Sequence, residues 1–421
     1  MADHLDDIVR HVRPIEPIEL QLLDAQGCVL VEDVTVPTAL PPFDNSSMDG
    51  YAIRTADVSG ACEEYPAVLT VIGDVAAGSG ALPTVGPGEA ARIMTGAPIP
   101  PGAEAVVPVE WTDGGTGGGP AAGMRAAAHA PEGASGEVRV HRPAEVGAHI
   151  RAQGSDVTAG ELALAAGTVL GPAQIGLLAA LGRGSVRVRP RPRVVVLSTG
   201  SELVHPGEEL AHGQIYDSNS FMLVAAARDA GAIGYRVGAV ADDAETLRST
   251  IEDQLIRADL VVTSGGVSVG AYDVVKEALS GFEAEQGRVE FRKLAMQPGK
   301  PQGFGRVGPD RTPLLALPGN PVSSYVSFEL FVRPAIRVLM GLDPAAGRET
   351  VRAVCPDGIA SSPKGSRQFL RGRYADGAVT PVGGASSHLV KALAHANSLI
   401  VVDEDSTSVE PGAEVEVVLL D

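Results

Sequence analysis

Residues 261–273, VVTSGGVSVGAYD, run from a short apolar stretch into Ser-Gly-Gly and close on an acid. Leu260, Val261 and Val262 are too uniformly apolar for a strand with one wet face, so they read as a strand covered on both sides. Gly265 and Gly266 permit positive φ and close approach of a ligand to backbone N–H groups, and residues 273–279 read as the next helix. An anion fits such a strand-turn-helix junction. Taken alone, the same residues also describe an ordinary turn.

The neighbouring segments repeat the pattern. Residues 194–197 (VVVL) are a buried strand followed by Ser198, Thr199, Gly200, Ser201 and Glu202, and then by 214–218 (QIYDS) and Asn219. Residues 221–228 read as a helix stopped at Gly231, 235–240 as a strand ending at Asp242 and Asp243, and 244–256 as a helix by its apolar spacing. Strands alternating with helices imply right-handed βαβ units, and so a doubly wound parallel α/β domain. Residues 198–202, Asp242, 264–273 (with Ser264, Gly265, Gly266 and Ser268) and the LPGNP loop (Pro318, Gly319, Asn320, Pro321) all follow strand carboxyl ends, where such sheets bind ligands.

After a strand at 289–292, KLAMQPGKP (293–301) sets Lys293 and Lys300 about a Pro-Gly turn. They are either solvated or point charges for a phosphate. Residues 317–322 lead into a long helix reaching about Met340. Carboxylates beside phosphate make sense when a hard cation bridges them, so Asp242 and Asp273 point to Mg²⁺.

Residues 3–12 carry a helical apolar stripe that ends at Pro14, and 20–33 mix a helical half with a strand-like half around Gly27. PTALPPFDNSSMDGYAIR (37–54) crowds Asp44, Asn45, Ser46, Ser47 and Asp49 among prolines: a capped loop, or a rigid polar loop presented to a ligand. From 67 to 140 short β-like runs suggest a small β-rich domain with a flexible tip at 113–123. Within it, Thr95 sits in the turn MTGAPIPP; farther on, Asp156 lies between small residues in 145–160. A simple turn is the plainer reading of both. Residues 350–421 alternate as an all-β tail, with Ser386, Ser387 and His388 as its polar cluster.

With 421 residues, the chain exceeds one core and is expected to hold about three domains. Its 33 Lys and Arg against 52 Asp and Glu give −19, which argues against nucleic acid or an anionic membrane as the main partner. Three scattered cysteines (Cys28, Cys62, Cys355) make neither a disulfide framework nor a metal motif. The acidic N-terminus lacks a signal-like apolar core and no run approaches a membrane span, so the expectation is a cytoplasmic protein.

PPFDNSSMDGYAIR, RIMTGAPIPPGAEAVV, STGSEL, QIYDSN, TSGGVSVGAYD, KLAMQPGKP and LPGNPVSS, in this order, resemble the signature segments of the molybdopterin molybdotransferase family, the bacterial counterpart of the gephyrin E domain. The resemblance runs from about Leu20 to Leu339, with a weaker match at 386–403. It implies cleavage of adenylyl-molybdopterin, insertion of molybdate at the dithiolene and release of AMP. It also implies an α/β plus β multidomain fold: a segmented N-terminal domain (1–50 and 141–175), an inserted β lid (51–140), a central molybdopterin-binding α/β domain (176–342) and a C-terminal β-barrel (343–421). An elongated homodimer is implied, with the N-terminal loop of one subunit facing the central domain of the other. The molybdopterin adenylyltransferase and downstream cofactor-modifying enzymes are the implied protein partners.

Carried over residue by residue, the family's acids fall on Asp49, Asp156, Glu202, Asp242 and Asp273, its threonine on Thr95, its lysines on Lys293 and Lys300, its Pro-Gly-Asn-Pro loop on 318–321 and its tail serine on Ser387. Gln297 stands where some members place a further lysine, which shifts the burden of anion binding to Lys293 and Lys300. The chemistry suits these residues, because positioning and charge dominate phosphoryl transfer. Two other readings stay open: the adenylyltransferase step, and a molybdopterin-binding scaffold without turnover.

Overall fold

The computed structural model describes residues 1–78, 80–115, 121, 136–240, 243–267, 274–280 and 287–420. The chain forms two compact units. One comprises Met1–Glu32, Ala166–Ile175 and Gly184–Asp421; the other comprises Asp33–Ala165 and Gly176–Arg183.

The first unit is built on a six-stranded sheet in the order Ile233–Val240, Arg193–Thr199, Leu260–Ser264, Thr312–Leu317, Pro301–Val307, Gly287–Lys293. The first four are parallel neighbours, and the last two extend the sheet antiparallel. Side chains alternate across each strand, so Val194, Val196, Leu260, Val262, Leu315 and Leu317 pack on one face against helix Asn219–Asp229 and the helices after residue 321. Val195, Leu197, Val261, Leu314 and Ala316 pack on the other face against Ala244–Leu255 and Val274–Ser280. That double burial is why the strand sequences are continuously apolar. The doubly wound expectation holds, with an antiparallel edge added where Gly303 and Gly305 let neighbouring strands approach.

The long helix expected to reach Met340 runs from Pro321 to Leu339, with a π-turn at Phe328–Val332 just before Pro334. Proline lacks the N–H and clashes with the carbonyl one turn back, which widens the helix there. The tail strands Thr350–Cys355, Arg367–Ala375, Ala378–Pro381, Ser398–Val402 and Ala413–Leu419 close on themselves as a barrel around Cys355, Leu370, Ile400 and Val417. The N-terminal helix Ala2–His11 lays Ile8 into the first unit's core and ends before Pro14 as expected. The helical half expected in 20–33 is absent: Leu20 and Gln21 pair with Val186 and Ser185, and tertiary pairing overrides the local pattern.

The second unit holds a five-stranded sheet in the order Ala105–Pro108, Gly50–Ile53, Glu89–Ile93, Ala67–Val75, Glu137–Val140. It is buried on both faces, Tyr51 and Ile53 pointing into one cluster and Ala52 into the other. Short pairs, Asn45–Ser46 with Ile150–Arg151 and Val34–Thr35 with Leu162–Leu164, fasten the segments before and after this sheet.

Candidate active site

The carboxyl ends of the parallel strands open into a cleft of about 1030 Å³ in the first unit. Strand Arg193–Thr199 delivers Thr199, Gly200 and Glu202; strand Leu260–Ser264 delivers Ser264, Gly265 and Gly266; strand Thr312–Leu317 delivers Pro318, Gly319, Asn320 and Pro321. Gly265 has φ +106°, and a Cβ there would meet the Thr199 carbonyl oxygen at 2.6 Å. Only glycine fits between these two strand ends, which brings the loops within reach of one ligand.

A polar lattice fixes the loops. The Asn219 Nδ2 donates to Ser264 Oγ at 2.9 Å and to the Gly319 carbonyl at 2.7 Å. Ser264 Oγ lies 3.1 Å from Ser324 Oγ, and Ser324 Oγ donates to the Pro318 carbonyl. Asn320 Nδ2 donates to Ser387 Oγ at 2.9 Å, and the Val322 N–H to the Ser387 carbonyl at 3.0 Å, so a barrel loop also lines the cleft. Arg371, buried in the barrel, donates from Nη2 to the Gly384 carbonyl and ties down the same loop. Thr199 Oγ1 and Asn219 Oδ1 are buried without hydrogen-bond partners among the described residues.

Charge in the cleft is mixed. Glu202 and Asp217 supply carboxylates, and Lys300 is the cationic side chain among the lysines and arginines that line it. Asp217 is 1 % exposed; it accepts from the Ser220 N–H at 3.1 Å and has Arg236 Nη1 3.6 Å away. Gln297 lines the cleft from a short strand, Met296–Gln297, that pairs with Arg367 and Gln368.

The other expected residues fall elsewhere. Ser198 is buried beneath the cleft floor, and Lys293 is exposed on the hairpin that carries Lys300, paired in register with Pro301. In the second unit, Asp49 Oδ1 accepts from the Thr95 N–H at 2.7 Å and from Thr95 Oγ1 at 3.0 Å, so the DNSSMDG and MTGAP segments are joined. Asp156 is exposed in a turn whose N–H donates to the Leu40 carbonyl at 3.0 Å, and Asp44 Oδ1 accepts from the Gln153 N–H at 2.7 Å. Asp242, Ser268 and Asp273 lie outside the described residues. Asp243 is a helix cap: its carboxylate accepts from Thr246 N at 2.7 Å, and hydrogen bonds from Thr246 hold it below the usual carboxylate range. Sequence reasoning missed Asp217 and Asn219 as site residues, although both stand in the quoted QIYDSN segment.

Among the described residues no three His, Cys, Asp or Glu side chains group as a metal cage. Mg²⁺ needs only one or two carboxylates plus phosphate oxygens, and the cleft's carboxylates and hydroxyls are the hard oxygen donors it takes.

The sequence is 45% identical over 421 residues to molybdopterin molybdenumtransferase 2 of Mycobacterium tuberculosis, covering 99% of this chain and 98% of that protein. Three family models match: the MoeA N-terminal region (domain I and II) over 1–182, a probable molybdopterin binding domain over 195–338 and the MoeA C-terminal region (domain IV) over 352–420. The chain belongs to the MoeA family. Another MoeA relative, molybdopterin molybdenumtransferase of Bacillus subtilis, is 32% identical over 428 residues, covering 99% of this chain and 94% of its own. The crystal structure of the molybdopterin biosynthesis MoeA protein of Pyrococcus horikoshii superposes with a TM-score of 0.74 at 32% identity, covering 100% of this chain and 98% of that one. The resemblance seen in the seven motifs and the α/β plus β architecture both hold for this MoeA chain.

Proposed function

We propose that this chain is a molybdopterin molybdenumtransferase that inserts molybdate into adenylyl-molybdopterin and releases AMP. The observation that carries the reading is the 45% identity, over 99% of this chain, with a relative of that name. The cleft supports it chemically: glycine-rich loops, backbone donors and a lysine at strand ends suit a phosphorylated pterin, and no covalent nucleophile is required.

In this reading Ser264, Gly265, Gly266 and Pro318 to Asn320 cradle the pterin or its phosphates. Lys300, with Lys293, offsets their charge, while Asp49 and Glu202 position molybdate's waters or accept protons as its oxo ligands exchange. Thr95 orients Asp49, as its two hydrogen bonds to that carboxylate support. Asp242 and Asp273 would hold Mg²⁺, which when bound would neutralise phosphate charge. Water cleaves the substrate's phosphoanhydride to give AMP and the molybdopterin phosphate, and the two dithiolene thiols bind molybdenum as one molybdate oxo ligand leaves as water with their protons.

The protein works in the cytoplasm as a homodimer, receiving substrate from the adenylyltransferase and passing product to cofactor-modifying enzymes. The four-part domain division given by the resemblance (1–50 with 141–175, 51–140, 176–342, 343–421) goes with this reading. No helix among the described residues is long and apolar enough to cross a membrane. Expression in a bacterium lacking its own molybdenumtransferase tests the assignment: molybdoenzyme activity should return at ordinary molybdate concentrations. Normal accumulation of the chain without any return of activity would count against turnover.

A further inference from the structure

A second cleft, of about 370 Å³, lies in the first unit where the parallel strands begin. Strand Arg193–Thr199 starts there, Asp259 directly precedes strand Leu260–Ser264, and strand Thr312–Leu317 leaves the turn at 308–311. Strands of five to seven residues separate it from the reaction cleft by about 20 Å.

Its lining is basic in a chain whose net charge is −19. Arg13, Arg193, Arg306 and Arg311 face two acids, Asp259 and Asp310. Asp259 is committed to Arg193, meeting its Nε at 3.0 Å and its Nη2 at 2.9 Å. Among the described residues, Arg13, Arg306 and Arg311 have no carboxylate within salt-bridge distance. Arg288 stands directly opposite Arg306 in the antiparallel ladder, and like charges so placed destabilise the pairing unless an anion offsets them.

The cluster is held by backbone. Gly308 has φ +75°, and a Cβ there would come within 2.5 Å of Leu255 Cδ1, so the turn sits tightly on the end of helix Ala244–Leu255. The Arg311 N–H donates to the Gly308 carbonyl at 3.2 Å, and Arg311 itself takes φ 55°, a conformation that L side chains rarely adopt. Beside the arginines, Ile256, 90 % exposed, and Ile15 are apolar residues of the lining.

Guanidinium forks match phosphate geometry, and three of them without carboxylates call for an anion carrying more than one charge. The exposed isoleucine adds an apolar requirement, and the volume is that of a small-molecule pocket. We propose that this cleft binds a small phosphorylated molecule with at least two negative charges and an apolar body, of the nucleoside diphosphate class, at a site separate from the reaction cleft.

The test is calorimetric titration of the full chain with ADP, in wild type, in the Arg306→Ala/Arg311→Ala double variant and in Lys300→Ala. The expected result is a saturable ADP site that survives Lys300→Ala within about twofold and weakens at least tenfold in the double variant, while the double variant keeps its molybdate-dependent turnover. Arg13→Ala, which leaves the sheet and its turn untouched, should weaken the same site several-fold. Absence of a saturable site in wild type, an unchanged site in both arginine variants, or loss of the site with Lys300→Ala would each overturn the proposal.

Discussion

Gly265 carries more of the site's geometry than any charged side chain near it. Its positive φ and its contact with the Thr199 backbone leave no room for a methyl group. Gly265→Ala should cost about 1–3 kcal/mol of stability, the usual range for forced strain at such a position. Turnover should fall more than tenfold, because Thr199 and Gly319 would be pushed apart. Thermal unfolding and turnover measured together check this; an unchanged midpoint with unchanged turnover would show that the two strand ends are not tightly coupled. Gly265 was legible in the sequence only with its neighbours: Ser-Gly-Gly after an apolar run also describes an ordinary turn, and the other loops at strand carboxyl ends favoured a ligand site. Asp217 and Asn219 were not, because their roles depend on Arg236, Ser264 and Gly319, which the fold brings in from other elements.

Among elements, the N-terminal helix Ala2–His11 shows how packing sets a titration. His4 is 2 % exposed, with its ring 4.9 Å from that of Phe331 and edge-on to it, and neither ring nitrogen has a partner among the described residues. Burial, helped by the nearby Arg292 charge, pushes its pKa down to about 4 from 6.5. A group depressed in the folded state leaves stability intact above the unfolded pKa and removes it as pH falls from 6.5 toward 4. By pH 5 the loss is about 2 kcal/mol at 1.36 kcal/mol per pKa unit. Unfolding midpoints at pH 7 and pH 5 should therefore fall less in His4→Leu than in wild type; equal falls would mean that His4 is hydrated in the native protein. The helix itself was readable from its apolar spacing, but the burial of a histidine on it was not, since Phe331 is supplied from a distant part of the chain. The missing helical half of 20–33 has the same origin: the pairing of Leu20 and Gln21 with 185–186 is invisible to local periodicity.

For the molecule as a whole, the alternation of strands and helices and the tail's two-residue period were enough to give an α/β core with an all-β tail. Barrel closure depends on Arg367–Ala375 pairing with both Ala378–Pro381 and Ser398–Val402, a long-range choice that no local pattern records. The Asp49–Thr95 contact, spanning 46 positions, is likewise a property of the folded second unit. At this scale the chain couples molybdate insertion to AMP release. The direct measurement is AMP released from purified adenylyl-molybdopterin with Mg²⁺, with and without molybdate. Molybdate-dependent AMP release with formation of molybdenum-bearing molybdopterin is the predicted result. Binding of the substrate with no AMP release, or consumption of ATP with unmodified molybdopterin, would contradict it.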